Sequence, residues 1–285
     1  MSPTRIPAIS QKQVASYLKP RPVDSHKGLF GTVVVIGGSE GMVGAALLAG
    51  RAALKLGTGC VHVGLLADNA PAVDGQMPEL MLHSASAALK IAKPDVMVVG
   101  CGLGHSLAAQ KILYNALLLD VPMVLDADAL NIIALRPDLR GLLHARKAPA
   151  IFTPHPGEAA RLLGCKTEDV QADRSGAALE LTRKLNGSVV LKGAGSICAS
   201  RDGKLHINKT GNPGMSSAGM GDVLSGMIAA FMAQGLSADE ALLLGVHLHG
   251  AAGDALAQQQ ATIGMSATEV TEWARWLLNR WALQS

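Results

Sequence analysis

From residue 32 to residue 191, short β-branched runs alternate with longer alanine- and leucine-rich segments. Few folds accept that alternation. The runs span 32–36, 60–65, 95–99, 123–125, 150–152 and 188–191, and they stay apolar through their centres. A strand with one wet face would alternate apolar with polar residues. These do not, so both faces must be covered, as in a parallel sheet between helices. The helical candidates that would cover them are 43–56, 107–119, 157–163 and 174–185. The pattern predicts an α/β chain with a doubly wound, mostly parallel sheet flanked by helices.

The pattern then changes. Residues 196–199 and 205–208 flank Arg201-Asp202-Gly203, which reads as a hairpin. Beyond Gly219 the chain reads as almost wholly helical, over 219–234, 238–259 and 267–283. No repeat or low-complexity linker interrupts it. The organisation expected is an N-terminal arm, 1–27, with a short helix over 11–18, and one domain over 28–285. Trp273, Trp276 and Trp281 all fall in the last helix. Trp273 and Trp276 share a face that packs on the body or meets another subunit.

Composition narrows the function classes. Half of the residues are hydrophobic (49%) but only 3% are aromatic, so aliphatic side chains and methionine must build the core. Thirty-two glycines suit tight strand-to-helix turns and close backbone approach to ligands. The net charge of +3, without a basic run, excludes a nucleic-acid partner. Cys60, Cys101, Cys165 and Cys198 lack Cys-x-x-Cys spacing, which excludes a zinc site and fits reduced thiols in the cytoplasm. Arg51 and Lys55 break the longest apolar stretch, so no membrane span is expected, and the N-terminus lacks a signal-peptide core. His247 and His249, two apart in a helix, point to different faces and make a poor metal pair.

In an open α/β sheet, ligands collect at the loops that follow strands. Gly37-Gly38-Ser39-Glu40-Gly41 is neither a dinucleotide fingerprint nor a Walker loop. It reads equally as a tight turn or a ligand contact. Gly100-Cys101-Gly102-Leu103-Gly104 is entropically costly unless a backbone must come close to something. Asp126 and Asp128 read as Mg²⁺ ligands or, preferably, as caps of the next helix. Thr153-Pro154-His155-Pro156-Gly157-Glu158 holds His155 rigidly at a strand end, and Glu158 in the first turn of a helix, where it suits the dipole. Lys192-Gly193-Ala194-Gly195-Ser196 offers charge and amides to a phosphate, or is a solvated lysine before a turn.

The strongest local signal is Asn212-Pro213-Gly214-Met215-Ser216-Ser217-Ala218-Gly219-Met220-Gly221-Asp222. A glycine-rich loop runs into a helix with one carboxylate at the junction. The amides and the helix dipole suit a phosphoryl group, and Asp222 suits a base that takes a hydroxyl proton. The other reading is an ordinary helix start, with Asp222 favoured by the dipole alone.

In this order, the loops resemble the ADP/ATP-dependent NAD(P)H-hydrate dehydratase family, which has a ribokinase-like fold. The resemblance runs from about residue 25 to about residue 280. It rests on Gly37-Gly38-Ser39 with Gly44-Ala45-Ala46, on Gly102-Leu103-Gly104, and on Asp126-Ala127-Asp128-Ala129-Leu130. It rests further on 153–158, on 192–196, and on Gly219-Met220-Gly221-Asp222-Val223-Leu224-Ser225-Gly226.

The resemblance implies ADP-dependent repair of (6S)-NADHX and (6S)-NADPHX to NADH and NADPH, with AMP and phosphate released. Asp222 would deprotonate the ring hydroxyl, and the amides from Gly219 through Asp222 would stabilise the phosphoryl transition state. Lys192, Gly193, Ala194, Gly195, Ser196 and Gly221 would hold the nucleotide. Ala45, Gly104, His155 and Asp222 would contact the hydrated cofactor. Glu158 sits where related kinases carry the glutamate of an Asn-x-x-Glu motif linked to Mg²⁺. His155 in place of that asparagine matches the dehydratases and departs from the kinases. The resemblance also implies a homo-oligomer, for which a tetramer is plausible, and a standalone chain with a separate NAD(P)H-hydrate epimerase as pathway partner. The alternatives are a thiazole- or pyrimidine-type kinase of the same superfamily and a nucleotide-binding regulator without turnover.

Overall fold

In the computed structural model, which describes residues 6–260 and 262–283, the strands belong to one sheet. They are β1 (Thr32–Gly37), β2 (Cys60–Leu65), β3 (Met81–Ser84), β4 (Val96–Val99), β5 (Met123–Leu125), β6 (Ala150–Phe152), β7 (Ser188–Leu191), β8 (Ile197–Ala199) and β9 (Leu205–Ile207). Residues 1–5 of the expected arm and 284–285 at the expected domain end lie outside the described residues. The helices are α1 (Gln11–Ala15), α2 (Val43–Lys55), α3 (Ala85–Ala88), α4 (Leu107–Leu118), α5 (Asp128–Leu135) and α6 (Pro137–Ala145). There follow α7 (Pro156–Leu163), α8 (Thr167–Ala172), α9 (Arg174–Leu185), α10 (Met220–Ala233), α11 (Ala238–Gln259) and α12 (Ala267–Ala282).

The spatial order is β3-β2-β1-β4-β5-β6-β7-β8-β9. Pairings from β3 across to β7 are parallel, and the β7–β8 and β8–β9 pairings are antiparallel. Winding reverses at β1, with β2 on one side and β4 on the other. That switch point leaves a crevice at the carboxyl ends of the strands.

Alternate residues of each strand feed two cores, which is why the runs are apolar throughout. Val33, Val35, Val61, Val98 and Ile151 pack under α2, α10, α11 and α12. Val34, Ile36, Met97, Leu125 and Phe152 pack under α4, α5, α6, α7 and α9. Helix starts follow side-chain caps: the Ser106 hydroxyl accepts the Ala109 amide before α4, and Ser237/Glu240 and Ser266/Glu269 form capping boxes before α11 and α12. Gly226 of α10 lies against α2, where an added Cβ would stand 2.1 Å from the Ala49 carbonyl oxygen.

Some expectations shift. β3 was not foreseen: it is a four-residue edge strand with no fully buried residue, so no apolar run marks it. The short α3, α6 and α8 are also additions. Asp95 falls outside β4 because its carboxylate accepts the Thr32 amide at 2.7 Å. The first helix stops at Ala15, before the expected 18. The arm runs on along β9, where the Ile9 amide donates to the Ile207 carbonyl at 2.9 Å. In α12, Trp281 is buried against His247 and Trp273 packs on the core, while Trp276 is exposed under Arg280. No helix among the described residues is long and apolar enough to cross a membrane.

Candidate active site

Two loops meet at the switch point. The Gly38 amide donates to the Cys101 carbonyl (3.0 Å) and the Ser39 amide to the Gly102 carbonyl (2.7 Å). A Cβ on Gly37 would lie 2.0 Å from the Cys101 oxygen, and one on Gly100 would lie 1.9 Å from the Asp126 oxygen. These glycines therefore let strand-end loops touch one another, and the cost in chain entropy needs no ligand to explain it. Ala45, in the first turn of α2, faces the Gly102 turn.

The two aspartates after β5 do not cap α5, whose N-cap Ala127 has no side-chain bond. That corrects the preferred reading of them as caps. Asp128 Oδ2 accepts the Gly104 amide at 2.8 Å, and Oδ1 stands 3.1 Å from His105 Nε2. Asp126 is buried. Its Oδ1 accepts from Lys192 Nζ at 2.8 Å and its Oδ2 from the Ser225 hydroxyl at 2.8 Å. The solvated-lysine reading of Lys192 is thereby overturned.

Burial works against both charges of this pair. Their mutual attraction outweighs it, holding Asp126 below the usual carboxylate range and, with help from Glu158, Lys192 above the usual lysine range. Lys192→Ala would leave a buried carboxylate without its counter-charge. The expected cost is about 3 kcal/mol of stability, read as a lower denaturant midpoint; an unchanged midpoint would mean that the pair is not desolvated.

His155 is the N-cap of α7. Its Nδ1 accepts the Gly157 amide (3.0 Å) and the Glu158 amide (3.3 Å), while Glu158 Oε2 accepts the His155 amide at 2.8 Å. The ring is half exposed, with its Nε2 3.3 Å from Glu158 Oε1, so it can cap the helix and still offer its exposed edge to a ligand. Burial and the Lys192 charge lower its pKa and keep it neutral. Glu158 is buried, and burial raises its carboxyl against the pull of Lys192.

The 192–196 loop is held from behind. Arg174 Nη2 donates to the Leu191 carbonyl at 3.1 Å and reaches the Lys192 and Gly195 carbonyls at 3.4 and 3.5 Å. The Ser196 hydroxyl donates back to the Gly193 carbonyl.

Opposite stands the start of α10. Gly219, in the left-handed region at φ 88°, is an N-cap without a side chain, so no side chain caps the first amides of α10. A Cβ on Gly221 would sit 3.1 Å from Lys192 Nζ and 3.5 Å from Asp126 Oδ2. Helix start, ammonium and buried carboxylate thus share one place. Asp222 joins them: burial first, then the negative charge of Asp126, push its carboxyl up to about 6, against the Cys101 thiol that donates to it and the Lys192 charge. A carboxylate titrating there is still ionised at neutral pH and is a better base than an ordinary one.

Asp222, Gly221, Gly219 and Lys192 therefore converge, with Glu158 and His155 close enough to feel Lys192 and Gly104 joined through Asp128. The sequence reading gave no role at the site to Ser225, Cys101, Arg174 or His249. Ser225 lies one helical turn after Asp222, and that spacing was its one available signal. His247 and His249 do diverge. His247 meets Asn208, whereas His249 faces the Lys192 charge, and burial pushes it down to about 4. Among the described residues no cluster of three metal-ligating side chains occurs. A groove of about 1170 Å³ beside Phe30, Leu56 and Leu278 lies at the other end of the sheet and holds none of these residues.

The family model described as NAD(P)H-hydrate dehydratase matches residues 33–275. The chain is 46% identical to the ADP-dependent (S)-NAD(P)H-hydrate dehydratase of Neisseria meningitidis, over 92% of this chain and 90% of that one. It is 43% identical to the bifunctional NAD(P)H-hydrate repair enzyme of Escherichia coli, over 94% of this chain but 51% of that protein, so it spans about half the length of that relative. Among solved structures it is similar to the ADP/ATP-dependent NAD(P)H-hydrate dehydratase of Bacillus subtilis co-crystallized with ATP/Mg²⁺. The TM-score is 0.88 at 30% identity, covering 98% of this chain and 100% of that one. A hydroxyethylthiazole kinase of Pyrococcus horikoshii shares the fold alone, at TM-score 0.61 and 16% identity.

Proposed function

The chain belongs to the NAD(P)H-hydrate dehydratase family, and on that premise we propose that it is an enzyme restoring NADH and NADPH from their hydrates, with ADP as phosphoryl donor. The observation that carries the reading is Asp222, a base titrating near 6, set beside the uncapped start of α10 and the Lys192 ammonium.

Hydroxide leaves a ring poorly and phosphate leaves it well. Asp222 takes the proton of the ring hydroxyl as its oxygen attacks the terminal phosphorus of ADP, and the bond to AMP breaks. The ring nitrogen lone pair then expels phosphate, and loss of a proton from the adjacent carbon restores the dihydronicotinamide. The protein's task is alignment and charge stabilisation. The amides of Gly219, Met220 and Gly221 and the Lys192 ammonium face the transferring group. The 192–196 loop holds the nucleotide. Ala45, Gly104 and His155 border the hydrate.

Mg²⁺ fits this donor set in one way. Asp126 and Asp128 are already engaged by protein donors, which leaves Glu158, whose Oε2 is spent on its own helix cap and whose Oε1 stands 3.3 Å from His155 Nε2. A magnesium ion bound mainly by nucleotide phosphates and water, with Glu158 behind a water, suits such a site. When bound, it would neutralise phosphate charge. A homo-oligomer and a cytoplasmic location are part of the same proposal.

The test is absorbance at the dihydronicotinamide band after mixing protein, NADH hydrate, Mg²⁺ and either ADP or ATP. A nucleotide-dependent rise is expected, faster with ADP. No rise from protein that binds nucleotide would turn the reading to a kinase that keeps the phosphoryl group on its acceptor. Arg174 offers a second check. Arg174→Met loosens the loop by at least one hydrogen bond from a charged donor, and the expected result is a rise of about tenfold in the KM for nucleotide with kcat nearly unchanged. An unchanged KM would remove the loop from nucleotide binding.

A further inference from the structure

Asp126 is 1% exposed, yet it borders the site, where the reaction has no use for a second base. Its oxygens accept from Lys192 Nζ, the Ser225 hydroxyl and the Ala127 amide, each at 2.8 Å, and the Thr153 side chain lies close enough to help lower its pKa. An ionised carboxylate has about four acceptor positions, so at most one remains for a substrate or a metal. These partners come from four elements, the turn after β5, the end of β6, the end of β7 and α10.

Lys192 is otherwise a flexible stem with three donors. The bond to Asp126 takes one donor and fixes the ammonium 3.1 Å from the Cβ position of Gly221, which leaves two donors for a ligand at the start of α10. We propose that Asp126, anchored by Ser225, is a positioning residue that holds the Lys192 ammonium as a fixed counter-charge for the transferring phosphoryl group. This rests on the dehydratase reading for the identity of that group. A charge placed before the reaction begins lowers the barrier more than one that must be gathered during it. The effect should therefore fall on kcat, and displacing a group by about 1 Å can cost about 100-fold.

Asp126 also stands beside Asp222, and its like charge makes the base harder to ionise. The groups facing Asp222 are Asp126, Lys192, Cys101 and Asp128, and those facing Lys192 are Asp126, Glu158, Cys101, Asp222, His155 and His249. Asp126→Asn removes one negative charge from the first set, so the acid limb of kcat should move to lower pH. A merely structural loss would leave it in place.

The experiment compares wild type, Asp126→Asn, Ser225→Ala, Lys192→Met and the Asp126→Asn/Lys192→Met double variant. It uses steady-state kinetics with NADH hydrate and ADP, and NMR of ¹⁵N-labelled lysine side chains. The expected wild-type spectrum contains a slowly exchanging ammonium signal that Lys192→Met abolishes and Asp126→Asn also loses. Each of these two substitutions should lower kcat by about 100-fold, with the KM for ADP within about threefold in Asp126→Asn. The double variant should be no worse than either single, because both remove one unit.

An ammonium signal retained in Asp126→Asn, or losses that multiply in the double variant, would overturn the proposal. If Asp126→Asn fails to fold, Ser225→Ala decides, since it keeps both charges: an unchanged ammonium signal with unchanged kcat would equally overturn it. Wild type without nucleotide-dependent NADH formation would sink the dehydratase reading, and the NMR result would still decide whether Asp126 holds Lys192.

Discussion

Asp222→Asn is expected to lower kcat by about 10³-fold while the affinity for ADP changes little. A positioned general base contributes roughly 10²–10⁴-fold, and the amide keeps the size of the carboxylate while losing its basicity. The Lys192–Asp126 pair survives the change, so the charge that meets the nucleotide stays in place. In the wild type, turnover should fall as pH drops through about 6, where Asp222 takes up a proton and ceases to be a base.

The stability effect has the opposite sign. The folded pKa of Asp222 lies above the ordinary aspartate value of 3.8. Ionisation therefore opposes folding progressively above pH 4 and fully above about pH 6. Removing the charge should stabilise the protein at pH 7, by about 1–2 kcal/mol once partial solvent screening is allowed for. The three measurements are kcat, calorimetric ADP binding and a thermal melt at pH 7. Near-normal turnover would remove Asp222 from the role of base, and a lowered melting temperature would mean that its charge is satisfied in the fold.

A large stability effect is also expected at Gly226. Its missing side chain lets α10 approach α2 so closely that a Cβ would stand 2.1 Å from the Ala49 carbonyl oxygen and 2.9 Å from its carbon. Both partners are backbone, so no rotamer change relieves the contact, and the helices must part. Overpacking of this kind costs about 3 kcal/mol, against a helix-propensity gain of about 1 kcal/mol for alanine over glycine. Gly226→Ala should lose about 2 kcal/mol net, or roughly 4–8 °C in melting temperature. Because α10 carries Gly221 and Asp222 at its start, kcat should fall too.

Gly141 provides the contrast. It lies in the exposed middle of α6, and nothing stands within 4 Å of its Cβ position. Gly141→Ala should raise stability by about 0.5–1 kcal/mol. Equal effects at the two glycines would mean that the close approach of α2 and α10 is not what Gly226 provides.

Burial on both faces is what made the strands legible. Val96–Val99 and Ser188–Leu191 are buried at every position, so their hydrophobicity shows without knowledge of their neighbours. β3 lacks that mark because its side chains are half or fully exposed and its pairing with β2 runs through the backbone. The start of α10 was legible for a similar local reason: loop, glycines, carboxylate and helix are contiguous in the chain.

The sequence by itself determined the layered α/β class, most of the strands, the family resemblance and the placing of Asp222 at a helix start. Only the tertiary structure decided what that aspartate feels and what Lys192 touches. Lys192 meets a carboxylate 66 residues away, and that carboxylate meets a hydroxyl 99 residues away. Pairing, desolvation and the resulting pKa depend on distance through space, and no local spacing encodes which distant loop a fold will bring within 3 Å. The strand-end glycines show the same division: as residues they signal close approach, and only the packed loops reveal that what approaches is another loop of the same protein.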